Sequence, residues 1–147
     1  ITADVTINDG KSNGVILAQG GEFGGWSIWL DNSVPVFTYN FLGLEKYTVR
    51  GKQALSKGTH TLLFDFAYDG GGLGKGGTMN VSVDGTSVAQ GRFDKTIPIV
   101  TSTEFTAVGK DMESPVDPAY GKGLDNYFRG GKINSVIKMI YRNLELS

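Results

Sequence analysis

Apolar and polar residues alternate along much of this chain with a period of two. From His60 to Tyr68, the side chains of Leu62, Phe64 and Phe66 fall on one side, with Thr61, Asp65 and then Asp69 on the other. Successive side chains of a β-strand point to opposite faces, so this is the pattern of a half-buried strand. Thr78–Val83 repeats it, with Met79, Val81 and Val83 inward and Asn80 and Ser82 outward. Asp84-Gly85 and then Ser87–Gln90 follow. That order predicts a hairpin, because Gly supplies the positive φ that a tight turn needs. Gly14–Gln19, Gly25–Leu30, Val34–Phe41, Tyr47–Arg50, Glu104–Val108 and Lys132–Tyr141 are further strand-like runs. The set predicts about nine to eleven short strands. Imperfect alternation in Ile133–Ile140 points to a β-bulge or to cover on both faces.

Helical periodicity is absent. Gln53–Lys57 has room for one helical turn at most. Many short strands with Gly-rich turns and no intervening helices predict an all-β fold, a two-sheet antiparallel β-sandwich of jelly-roll type. No fixed-period repeat suggests a propeller or solenoid. The least regular stretch, Gly109–Tyr127, contains Pro115 and Pro118 and is expected to cross the surface as a long connection.

Composition sharpens this picture. The 147 residues suit one domain, residues 1–147, with enough core to fold without staples. Cysteine is absent, which removes disulfides and thiolate metal sites. The 22 glycines have no three-residue period, so they mark turns rather than a collagen repeat. A net charge of −1, with basic residues dispersed, argues against nucleic acid as a partner. No apolar run approaches the roughly 18 residues of a membrane helix, and the N-terminal segment lacks the regions of a signal peptide. Because the chain starts at Ile1 rather than Met, it is expected to be a processed product or a piece excised from a larger protein.

Candidate chemistry is sparse. Gly72, Gly74 and Gly77 match G-x-G-x-x-G, but that loop holds phosphate only where it opens a helix, and here a strand follows. His60 is the only histidine, and neither a zinc site nor a catalytic relay can be built around it from sequence alone. Asp111, Glu113 and Asp117 lie in the irregular stretch, where a solvated acidic loop is expected. A structural calcium on Asp111 and Asp117 is the sharper alternative, since calcium takes six to eight oxygens from such loops. Pro115 breaks any strand that would array these acids as a glycoside hydrolase does. Trp26, Trp29, Phe37, Tyr39, Phe41 and Tyr47 make an aromatic-rich quarter. Trp26 and Trp29 are three apart and face opposite ways in a strand, so one belongs to the core while the other is available to a sugar ring. Trp29 and Tyr39 are the candidate ligand-binding residues. No residue is assigned a catalytic role.

Several segments in order resemble the C-terminal domain of bacterial arylsulfatase-type sulfatases. They are Gly14-Val-Ile-Leu-Ala-Gln-Gly-Gly21 with Gly24-Gly-Trp26, Pro35-Val-Phe-Thr-Tyr-Asn40, Gly58-Thr-His60, Phe66–Gly77 and Val83-Asp-Gly85. Val108-Gly109 with Asp111, Ser114-Pro-Val116, Phe128-Arg-Gly130 and Ile133-Asn-Ser-Val136 follow. The ending, from Phe128 through Ile133 to Ile140-Tyr-Arg-Asn-Leu144, is similar to the last strand of concanavalin- and laminin-G-like sandwiches. The resemblance implies a jelly roll, a periplasmic or secreted location, and an upstream catalytic domain in cis that hydrolyses sulfate esters. That chemistry needs a formylglycine made within Cys/Ser-x-Pro-x-Arg. Here Ser33-Val-Pro35 is followed by Phe37 where the Arg belongs, and Ser114 has Pro directly after it. The expectation is therefore a non-catalytic accessory domain without a cofactor. A carbohydrate-binding module working through exposed aromatics is the alternative.

Overall fold

A computed structural model describes residues 1–8, 11–98, 105–112 and 114–139. The chain forms ten strands: β1 (Thr2–Ile7), β2 (Gly14–Gly21), β3 (Gly24–Asp31), β4 (Val34–Phe41), β5 (Glu45–Arg50), β6 (Gly58–Tyr68), β7 (Lys75–Val83), β8 (Thr86–Lys95), β9 (Thr106–Val108) and β10 (Gly131–Ile137). They make two antiparallel five-stranded sheets, ordered β10-β1-β6-β7-β8 and β5-β4-β3-β2-β9. This is the expected two-sheet sandwich.

The sheets face each other through alternate residues. Val5, Ile7, Leu62, Phe64, Met79 and Val81 of one sheet meet Ile16, Ile28, Leu30, Phe37 and Val49 of the other. Removing this much apolar surface from water is the main term favouring the fold. Each buried aliphatic or Phe side chain contributes roughly 1.5–3 kcal/mol before ordering costs.

Turn chemistry sets the registers. Asp84 and Gly85 both have positive φ (49° and 85°), as do Asn32 and Ser33 (47° and 67°) between β3 and β4. Two successive residues of this kind match the right-handed twist of the strands they join. At Gly77 the absence of a side chain serves packing instead: a Cβ there would lie 2.4 Å from the Phe66 ring.

Three features depart from the sequence reading. The strand β1 was not foreseen, although Ala3, Val5 and Ile7 are its buried face. Gln53–Lys57 forms no helical turn. The short helical elements are instead 3₁₀ turns at Pro118–Tyr120 and Gly123–Asn126. The bulge expected near Ile133 is present: Asp4 pairs with Ser135 and Val5 with Ile133, leaving Asn134 as the extra residue. The expected ends of two strands, Glu104 and 140–141, lie outside the described residues.

Candidate functional site

Neighbours in β3 point to opposite faces, and the two tryptophans there enter different environments. Trp29 is 6% exposed and sits on the face away from the other sheet. It packs edge-on against Tyr120 at a centroid distance of 5.3 Å. Its indole N–H donates to Thr38 Oγ1 (3.1 Å), which in turn donates to Asp117 Oδ2 (2.9 Å). The candidate Trp29 is thus covered by the 111–127 segment and offers no face to a ligand. A half-buried Trp26 is the tryptophan that reaches an opening.

The acidic residues of that segment are not solvated. Asp111 and Asp117 are 3% and 4% exposed. Asp111 accepts from the Met112 and Val116 amides, both at 2.8 Å, and from the Tyr120 hydroxyl. Its main chain is clamped by the Asn126 amide, which accepts from the Asp111 N–H and donates to its carbonyl. Asp117 caps the 3₁₀ turn by accepting from the Ala119 N–H and takes the Lys46 ammonium at 3.3 Å on the same oxygen. Burial, followed by the neighbouring Asp111 carboxylate, pushes the Tyr120 hydroxyl far above its ordinary pKa, so it remains a proton donor. Both carboxylates thus face N–H and O–H donors, a set that fits no cation. Among the described residues no group of three His, Cys, Asp or Glu side chains is placed to hold a metal. Glu113 lies outside the described residues. Sequence reasoning missed this network because an acidic, Pro-containing stretch usually reads as surface. The pairing of Asp111 with Tyr120 was its one visible signal.

His60 sits beside Ser56 and Asp84. Its Nδ1 is 2.7 Å from Asp84 Oδ2 and its Nε2 is 2.8 Å from the Ser56 carbonyl oxygen, with Ser56 Oγ farther off at 3.4 Å. Both ring nitrogens face acceptors, so the imidazolium is the form that satisfies them. Burial opposes that charge, but the Asp84 and Ser56 contacts outweigh it and raise the pKa. An imidazole held this way has no free lone pair with which to take a proton from Ser56.

The concave feature of the molecule is a cleft of about 500 Å³ where the two sheets part. Phe93, 1% exposed, is its floor. Around it stand Phe37 (5.7 Å between centroids), Tyr39 (5.5 Å) and Phe66 (5.4 Å). Trp26 stacks on Phe37 at 6.3 Å, and the Lys138 ammonium lies 5.2 Å from the Trp26 ring centre while donating to Gln19. Of the two sequence candidates, Tyr39 belongs to this cleft. Its hydroxyl accepts from the Ile97 N–H at 2.8 Å, and burial raises its pKa despite that bond. At the mouth, Phe66 is 37% exposed, Tyr68 41% and Met139 60%. Asp65 is the one carboxylate in the lining, so the cleft presents aromatic surface rather than an acid pair. Sequence analysis found Tyr39 through aromatic density but missed Phe66 and Phe93, which lie on strands of the opposite sheet.

Comparison with protein-family models and with curated proteins finds no match for this chain.

Proposed function

We propose that this chain is a non-catalytic C-terminal accessory domain of an arylsulfatase-like sulfuric ester hydrolase, periplasmic or secreted, that packs in cis against the catalytic domain. The ordered segments resembling that family suggest the parent. The observation that carries the docking role is the cleft, an aromatic-floored opening whose rim leaves Phe66, Tyr68, Ile137 and Met139 in water. Apolar surface grouped in this way marks an interaction site.

Turnover of a chromogenic aryl sulfate by the purified chain tests the reading. The expected rate equals that of buffer, and activity that copurifies with the chain would contradict it. The coding sequence upstream of Ile1 is expected to contain a Cys/Ser-x-Pro-x-Arg motif. A second reading, a carbohydrate-binding module, draws support from Trp26, Tyr39 and Phe66 in one cleft, where a sugar ring has aromatic faces to stack on. A sulfated glycan would want convergent guanidinium groups. Arg50 is engaged by Asp31, Arg92 by Asp69, and Arg129 by main-chain carbonyls, so none of these three serves the cleft. Titration with sulfated and unsulfated oligosaccharides, read by Trp26 fluorescence, decides between the two readings.

A further inference from the structure

Strand β6 is longer than the strand beside it. It pairs with β7 from Leu62 through Tyr68, and Asp69 adds one more bond to Gly76. On its other side it pairs with β1 only from Gly58 to Leu63, extended by one residue through the Ile1–Phe64 pair. That last pair exchanges two hydrogen bonds of 2.8 Å, from the Phe64 N–H to the Ile1 carbonyl and from the Ile1 amino group to the Phe64 carbonyl. In an antiparallel ladder, alternate residues bond to alternate sides. Phe64 bonds toward β1 and Asp69 toward β7, so Phe66 and Tyr68 direct their N–H and C=O groups to the side that β1 leaves open. Among the described residues, nothing pairs with this half-edge.

Two further properties separate it from the other edges. Edge strands are normally protected by charge. The outer strand β5 carries Glu45, Lys46 and Arg50, and β8 carries Arg92, Asp94 and Lys95. The free part of β6 reads Asp-Phe-Ala-Tyr, with one charge. It also borders the cleft, which Phe66 and Tyr68 line together with Ile1, Ile137 and Met139. The side chain of Ile1, opposite Phe64, packs against the core. By the same alternation, a strand continuing that line places its residues opposite Phe66 and Tyr68 over the cleft.

We infer that the half-edge Asp65–Tyr68 receives an extended polypeptide strand from the partner domain, antiparallel to β6, whose alternate apolar side chains fill the cleft opposite Phe66 and Tyr68. This is strand addition, in which main-chain hydrogen bonds supply affinity and side-chain pockets supply selectivity. It rests on the accessory-domain reading only for the source of the strand. The direction follows from continuity with the β1–β6 ladder, and the apolar character follows from the lining.

The test places Thr-Val-Thr-Val-Thr directly ahead of Ile1, which sets both valines opposite Phe66 and Tyr68. Amide hydrogen exchange is compared with that of the unextended chain, of a chain carrying Val-Thr-Val-Thr-Val, and of one carrying Thr-Pro-Thr-Pro-Thr. The first extension is expected to slow exchange at Phe66 and Tyr68 about tenfold or more and to raise Tm by about 3 °C. The shifted extension should do less, and the proline extension nothing. Unchanged exchange with the first extension overturns the inference, as do equal effects from the first two. Phe66 and Tyr68 amides already protected in the unextended chain, or closure of the cleft by an oligosaccharide alone, would also overturn it. Sulfatase turnover by the isolated chain would defeat the accessory-domain reading while leaving these exchange rates untouched, so the two failures are separable.

Discussion

The two faces of the sheet containing β3 are finished in opposite ways. On the face holding Trp29, the 111–127 segment closes over the aromatic ring, and its buried acids are supplied with donors from Val116, Ala119, Tyr120 and Lys46. On the face holding Trp26, the second sheet covers the core but parts at one end, leaving aromatic surface in water. Buried polar groups are costly unless fully paired, so a completed network of this kind fixes one structure. Apolar surface without cover does the reverse, lowering its free energy only when something docks. The closed face is where stability resides, and the open face is where a partner belongs.

Unequal costs of equal substitutions would sharpen that contrast. Trp29→Ala is expected to destabilise by about 3–5 kcal/mol, as for large aromatics removed from a sealed site. Trp26→Ala should cost only about 1–2 kcal/mol, because part of its surface already meets water. Urea unfolding measures both, and equal losses would break the comparison. Asp111→Ala leaves the Met112 and Val116 amides and the Tyr120 hydroxyl without their acceptor, at a cost of about 3 kcal/mol. Tyr39→Phe, on the open side, removes the acceptor of the Ile97 N–H and should cost about 1 kcal/mol.

The smallest effect concerns pH and belongs to neither face. The folded pKa of His60 is raised above 6.5, so its contribution is complete below that pH and disappears as pH climbs through the folded value. That of Asp84 is depressed below 3.8, first by the Thr61 N–H and then by His60, so its contribution is lost as pH falls through the folded value. Both act together between pH 3.8 and 6.5. Thermal melts across pH should show a decline on the alkaline side of this window that His60→Gln removes.

The architecture was legible because period-two alternation is a direct consequence of a strand with one buried face, as in Leu62, Phe64 and Phe66. Asp84-Gly85 was legible because few residues accept its backbone angles. The strand β1 escaped because Ala3 is small and Asp4 and Thr6 dilute the signal, though the burial of Ala3, Val5 and Ile7 is complete or nearly so. The site was harder to read. Phe93 joins Tyr39 from 54 positions away, and no local pattern encodes a meeting between sheets. The acids of the 111–127 segment misled for the same reason, since their donors depend on how the segment folds back over Trp29.

The most direct measurement compares amide exchange in the isolated chain with exchange in the same chain joined to the catalytic domain that the accessory role requires. The account predicts slowing confined to Phe64–Tyr68 and Ile137–Met139, with Asp111, Asp117 and Tyr120 unchanged. Protection gained over the 111–127 segment while the cleft amides exchange as before would contradict it.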